Sequence, residues 1–248
     1  MGSVRLHLSR PVEGTIKTCT IKREVDGWFV IFAVEENQCS YCPKTGASVG
    51  VDVGLENFAT LSTGEAIANP QYLRQAERQL KTAQRTVSRR KKGSNRRRKA
   101  VRVLAMRHLK VKRQRSDFHH KTSLELVRRF DGIAVEELNI RGMVKNHHLA
   151  KSISDASWGT FIQTLESKAE NAGRRVWKVP AKNTSQDCSG CGVRVEKSLS
   201  QREHICPSCG LSLHRDHNAA INISGRAVRS GMVEMTSPCE PRIHVSET

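Results

Sequence analysis

All of this chain's net positive charge lies in sixty consecutive residues. Residues 71–130 hold 21 of the 42 Lys and Arg but only three acids, Glu77, Asp117 and Glu125; the remainder carries 21 of each sign and cancels. A one-signed run is too costly to bury. Leu73, Ala76, Leu80, Ala83 and Val87 are spaced as one face of a helix. Lys92-Gly93-Ser94-Asn95 is a break, and Val101, Leu104, His108 and Val111 repeat the spacing. Two narrow seams predict an antiparallel helical hairpin. The outer faces carry Arg89, Arg90, Lys91, Lys92 and Arg96, Arg97, Arg98, Lys99. A merely solvated face usually mixes both signs. A one-signed ridge repels itself unless a phosphate backbone neutralises it, so these eight residues are the candidate nucleic-acid contacts. Such contacts set affinity and register and do not read bases.

The other segments look like an α/β sheet. Val4–Leu8, Ile16–Lys22 and Trp28–Val34 alternate as a three-stranded meander, with Asp26-Gly27 as a hairpin turn. A meander this short needs another surface to cover it. Residues 37–47 read as a linker. Ser48–Gly54, Asn57–Ser62, Ala66–Ala68, Gly132–Leu138 and Arg175–Pro180 are predicted strands. Asp155–Asn171 is a predicted helix closed by Gly173. Arg215–Ile223 is a short predicted helix begun by Asp216, and 224–248 is a loose tail. The longest apolar run, Trp28–Val34, is far short of the ~20 residues a membrane span requires. With no leader pattern visible, a cytoplasmic, nucleoid-associated protein is expected.

Eight cysteines are present. Cys188-Ser189-Gly190-Cys191 and Cys206-Pro207-Ser208-Cys209 have zinc-ribbon spacing, each followed by a glycine that permits a tight turn. Four thiolates close a tetrahedron, so one structural zinc is expected at Cys188, Cys191, Cys206 and Cys209. His204 and His214 read as surface or nucleic-acid contacts. Cys39-Ser40-Tyr41-Cys42 has no second half and reads as a chance pair, and Cys19 reads as core.

Three acids stand out: Asp52 and Glu136 in apolar strands, and Asp216 at a helix start. A carboxylate in a buried strand is costly unless paired or bound to a cation. Hard divalent cations take oxygen ligands, and two ions can serve phosphodiester hydrolysis. For any one of these acids alone, a cap or salt bridge is the plainer reading, and spacing does not lift the three above it.

The same residues carry a family resemblance. Gly50-Val51-Asp52-Val53-Gly54-Leu55-Glu56-Asn57-Phe58-Ala59-Thr60 resembles the first RuvC motif of the TnpB (OrfB-type) proteins of bacterial and archaeal transposons. Val135-Glu136-Glu137-Leu138-Asn139-Ile140 resembles the second. Thr184-Ser185-Gln186 before Cys188, then Arg215-Asp216-His217-Asn218-Ala219-Ala220-Ile221-Asn222-Ile223, resemble the ribbon and third motif. The resemblance implies an RNase H-like (RuvC) α/β domain at 48–183 with the basic hairpin 71–130 inserted. It places partial β-barrel strands and a linker at 1–47, the zinc ribbon at 184–212 and the last RuvC helix at 213–223. It implies an RNA-guided, Mg²⁺-dependent DNA endonuclease related to type V CRISPR effectors, with guide RNA from the transposon end. Asp52, Glu136 and Asp216 match the family's catalytic acids, which hold two magnesium ions; Glu137 is the fallback for the second. His214 stands where the family often has Asp. Family members usually carry an amino-terminal half with a recognition lobe, and residues 1–36 match only the last strands of its barrel. Two other readings follow from that: a non-cleaving nucleic-acid binder, and a transposon remnant.

Overall fold

The computed structural model describes residues 5–8, 11–35, 43–198 and 201–231. Along the chain these form β1 (Thr15–Arg23), β2 (Trp28–Glu35), β3 (Ser48–Val53), β4 (Asn57–Leu61), β5 (Ala66–Ala68), α1 (Tyr72–Ser88) and α2 (Asn95–Arg129). There follow β6 (Gly132–Glu137), α3 (Ile140–Met143), α4 (His147–Ala156), α5 (Trp158–Asn171), β7 (Arg175–Pro180), β8 (Glu203–Ile205), β9 (Ser212–His214) and α6 (Arg215–Arg229). The chain divides into two compact units. One comprises residues 1–40 with 79–110, and the other 41–78 with 111–248.

In the first unit β1 and β2 pair antiparallel. The strand expected at Val4–Leu8 is not formed: described residues 5–8 are irregular, with Leu6 and Leu8 exposed. Cys19, expected in a core, is exposed, as is all of β1. A two-stranded ribbon has too little surface to bury a face of its own. Alongside lie the end of α1 and the start of α2, antiparallel. Leu80, Ala83 and Val87 are buried as their spacing predicts. On α2 the expected seam holds only in part: Val111 is buried and Leu104 half-buried, but Val101 and His108 are exposed and Leu109 is buried instead. Arg97 is not a ridge residue. Its guanidinium turns inward and donates to the carbonyls of Val87 (2.9 Å) and Arg90 (3.5 Å). The Val87 carbonyl lies in the last turn of α1, where a cation is favoured.

The second unit holds a five-stranded sheet in the order β5-β4-β3-β6-β7. The β3, β6 and β7 neighbours are parallel, and β4 and β5 run antiparallel. The parallel strands are covered on both faces, as parallel strands generally are. Val49, Val51, Ile133 and Val135 pack with α5 residues Trp158, Phe161, Ile162, Leu165 and Ala169 in the main core. On the opposite face Ala134 and Val179 pack with Ile223 and Ala227 of α6.

The helix expected over Asp155–Asn171 is divided. Ser157 adopts a left-handed conformation (φ 52°) between α4 and α5. Asp155 thus ends α4, and its carboxylate accepts from the amides of Leu73 (3.0 Å) and Arg74 (3.3 Å), capping α1 from a distant segment. Gly225 does not end α6, which runs on to Arg229. The rest of the expected tail, the Cys39–Cys42 pair and Cys239 lie outside the described residues.

One close approach fixes α6 on the sheet. A Cβ on Gly50 would collide with the Ala220 carbonyl oxygen and sit 2.6 Å from the Ser224 amide. Gly50→Ala is therefore expected to push the helix off the strand. An overpacking penalty of at least about 1–3 kcal/mol is expected, checked by denaturant unfolding. Gly93→Ala, whose glycine has open space around it but a positive φ of 82°, serves as a comparison, expected to lose about 1 kcal/mol.

Candidate metal and carboxylate sites

Asp52 and Glu136 are brought together by strand register. Val51 pairs with Val135 in the parallel β3–β6 ladder, so the next residues, Asp52 and Glu136, stand side by side. Side chains alternate along a strand. Gly50 and Asp52 therefore share one face, as do Ala134 and Glu136, and that is the face α6 covers. Asp216 lies on α6 one turn before Ala220, whose carbonyl rests over Gly50. Farther along the same line, a Cβ on Gly54 would be 3.9 Å from Asp216 Oδ2. The glycine at 50 lets the helix down, and the helix brings the third acid to the first two.

The electrostatics record this convergence. Burial pushes the Asp52 carboxyl well above its ordinary range, and the Glu136 and Asp216 carboxylates push it further; Arg215 opposes them. Burial also raises Glu136, against the Thr184 hydroxyl and Arg226. Glu137 is exposed, so the fallback position points away from this group. Asp216 does not cap α6. The cap is His214, whose Nδ1 accepts from the Asp216 amide at 3.3 Å. The three carboxylates are not drawn into a tight ligand group; among the described residues only the four cysteines are.

Sequence reasoning missed the residues that hold Glu136 and the third motif in place. The Thr184 hydroxyl donates to Glu136, and both are buried. Arg226, expected in a loose tail, donates to the Pro180 carbonyl (2.6 Å) and to Asp187 Oδ2 (3.0 Å). Asn218 and Asn222 are buried within α6. Asn218 accepts from the Ser189 amide and donates to the Asp187 carbonyl, and Asn222 donates to the carbonyls of Thr184 and Asp187. Two amides on the inward face of a helix were a readable signal, since a buried amide must find partners.

The cysteines form two matching knuckles. In the first, the Cys188 amide donates to Val193 O and Gly192 to Cys188 O; in the second, Cys206 donates to Leu211 O and Gly210 to Cys206 O. Gly192 and Gly210 take nearly equal positive φ, 77° and 75°, as their predicted turns require. The four Sγ atoms lie within 4.8 Å of one another, with Cys188–Cys209 and Cys191–Cys206 at 3.6 Å. Four sulfurs at about 2.3 Å from a tetrahedral zinc would be about 3.8 Å apart, so the donor set fits such an ion. Amides of Cys209 and Ser208 help lower the Cys206 thiol to about 6. His204, expected at the surface, is fully buried on β8 with Lys197 Nζ against its Nδ1. It serves the ribbon's small interior.

Of the eight predicted nucleic-acid contacts, Arg89, Arg90, Lys91, Lys92, Arg96, Arg98 and Lys99 are exposed. Only Arg97 is turned inward.

Residues 31–147 match the OrfB_IS605 family, described as "Probable transposase", and residues 158–223 match the Cas12f1-like TNB domain. A Streptomyces pristinaespiralis protein provisionally named an RNA-guided DNA endonuclease is 41% identical over 87% of this chain and 54% of its own length. A similarly named Escherichia coli protein, InsQ, is 29% identical over 92% of this chain and 61% of its own. The chain thus spans about half the length of the curated relatives it matches. Two solved structures share the fold. A Cas12f1–sgRNA–target DNA complex has TM-score 0.50 and 18% identity over 82% of this chain and 55% of that one. A CRISPR-Cas12f ternary complex has TM-score 0.52 and 16% identity over 83% and 44%. These likenesses support a RuvC-like α/β fold.

A carboxyl with a raised pKa holds its proton more tightly folded than unfolded. Stability therefore falls as pH rises from the ordinary Asp value near 4 to the raised folded value, and stays lost above it. In chelator, Asp52→Asn is expected to raise unfolding stability near pH 8. The gain should shrink toward pH 4; urea melts at the two pH values would show it.

Proposed function

We propose, from the premise that the chain belongs to the OrfB family of TnpB-like transposon proteins, that it is a divalent-cation-dependent DNA endonuclease directed by RNA. The observation that carries this reading is the convergence of Asp52, Glu136 and Asp216 from two adjacent strands and the helix laid across them. Three carboxylates, two of them in buried strands and Asp52 raised by burial and by the charges of Glu136 and Asp216, suit a hard cation such as magnesium. Bound divalent ions would supply activation of a water and stabilisation of the leaving oxygen at a phosphodiester. The chain's own part is to hold the three carboxylates. Gly50 admits α6, His214 caps it beside Asp216, and the Thr184 hydroxyl orients Glu136.

In this reading Cys188, Cys191, Cys206 and Cys209 hold one structural zinc, and Asn218 and Asn222 tie that ribbon to the helix carrying Asp216. The basic helices form a hairpin inserted in the RuvC-like domain and supply phosphate contacts through Arg89, Arg90, Lys91, Lys92, Arg96, Arg98 and Lys99. The β1–β2 ribbon is the counterpart of part of a barrel. DNA and a guide RNA from the transposon end are the partners. One observation favours a second reading, a nucleic-acid binder that does not cut: the carboxylates are less tightly gathered than the thiolates.

Three expected outcomes test these assignments. Asp52→Ala should abolish Mg²⁺-dependent cleavage with guide RNA supplied while leaving nucleic-acid binding and a cooperative melt in place; wild-type protein that binds but never cuts would establish the second reading. Replacing Arg96, Arg98 and Lys99 by Gln should weaken binding to all sequences alike. The salt slope should also fall by about 0.9 for each duplex phosphate no longer neutralised, measured by titration at several salt concentrations. Zinc chelation should lower the melting temperature by several degrees, and added zinc should restore it, since metal binding contributes directly to folding in small metal domains.

A further inference from the structure

The first unit carries a second surface that the basic ridge does not explain. Trp28, at the start of β2, leaves 69% of its surface exposed. The Arg23 guanidinium lies over its ring at 5.5 Å from the centroid. Trp28 borders a cleft of about 470 Å³ with Arg98, Val101 and Arg102 of α2 on its other side, within the size range of ligand clefts. Two acids, Glu24 and Asp26, also border the cleft, and Glu24 is paired with Lys22 at 3.0 Å. Arg102 leads into a second groove on α2, of about 580 Å³, where the exposed Val103 and Met106 lie between Lys99, Arg107 and Lys110.

We infer that this strip, from Trp28 across Arg102 to Met106, is a binding site for single-stranded nucleic acid, with an unstacked base on Trp28 and the adjoining phosphates on Arg98 and Arg102. The inference rests on the reading that the chain binds nucleic acid, and goes beyond it by naming where bare bases are held. A duplex shows a protein its phosphates and keeps its base faces stacked inside, so an exposed indole and apolar side chains gain little from it. A single strand offers both a π-face and a phosphate at each nucleotide. The cations at the groove's rim match that strand's charge. They would be left unpaired against an ordinary apolar protein partner.

The test is fluorescence anisotropy with labelled oligo(U), oligo(dT) and a mixed-sequence duplex, each about 15 nucleotides long, near the upper site size of single-strand binders. Trp28→Ala should weaken binding to one or both single strands by about 5- to 150-fold, the range for loss of one stacking residue, while duplex affinity stays within about twofold. Trp28→Phe, which keeps a ring, should retain most of the affinity. Loss confined to oligo(U) or to oligo(dT) supports the site and identifies the strand it holds. Wild-type tryptophan emission should be quenched by the single strand, and this quenching should vanish in Trp28→Phe, because Trp158 is buried and Trp177 half-buried. Equal loss on single strands and duplex, or full single-strand affinity in Trp28→Ala, overturns the inference while leaving nucleic-acid binding in place. Wild-type protein that binds none of the three probes overturns both.

Discussion

The missing side chain at Gly50 is the constraint on which the carboxylate group depends. A helix normally rests on a sheet through two layers of side chains. Here the α6 backbone comes down onto β3, with a carbonyl and an amide occupying the space a Cβ would fill. That intimacy converts sequence spacing into position. Asp52 is two residues after Gly50 on the same face, and Asp216 is one helical turn before Ala220. The two acids meet because the helix and strand touch at a single fixed point. Glu136 joins them through parallel register alone, without any contact of its own to the helix being required. The second sheet face does the opposite work: Val49, Val51, Ile133 and Val135 bury conventional apolar bulk against α5, which anchors the strands whose other face carries the charge.

Gathering carboxylates in this way opposes stability. Burial and mutual repulsion both raise Asp52, opposed only by Arg215, and burial raises Glu136 against the Thr184 hydroxyl and Arg226. A fold selected for stability alone would place an apolar residue at 52. Carboxyls perturbed in this way cluster at functional sites.

Much of this was legible in the sequence, for identifiable physical reasons. The strands around Asp52 and Glu136 could be placed because an acid inside an apolar run leaves the run itself intact. The α1 seam was legible because its other positions are almost all polar. The glycines after each CxxC pair predicted the positive φ values observed. Other features were decided by packing across the chain. Ser157 divides α4 from α5 in a left-handed conformation with no Gly or Pro to announce it, while the Arg115 guanidinium contacts its hydroxyl and the Ser154 carbonyl. The helix expected to stop at Ile223 runs on, because a helix tolerates Gly225 at about 1 kcal/mol and Ala227 beyond it is fully buried against the sheet. On α2, apolar residues occur on more than one side, so spacing alone did not choose the buried one. His204 has no local signal for burial, since its partner Lys197 comes from a separate turn.

The junction at His214 has a further consequence. Strand β9 ends at His214 and α6 begins at Arg215, so no linker separates the cysteine ribbon from the helix bearing Asp216. Most domains joined in series have slack between them, and a disturbance in one dies out in the next. This chain has none at that point, and the buried asparagines add a second tie. The thiolate cluster therefore acts as a datum from which Asp216 is measured. Loosening the ribbon would misplace an acid without altering any residue near it.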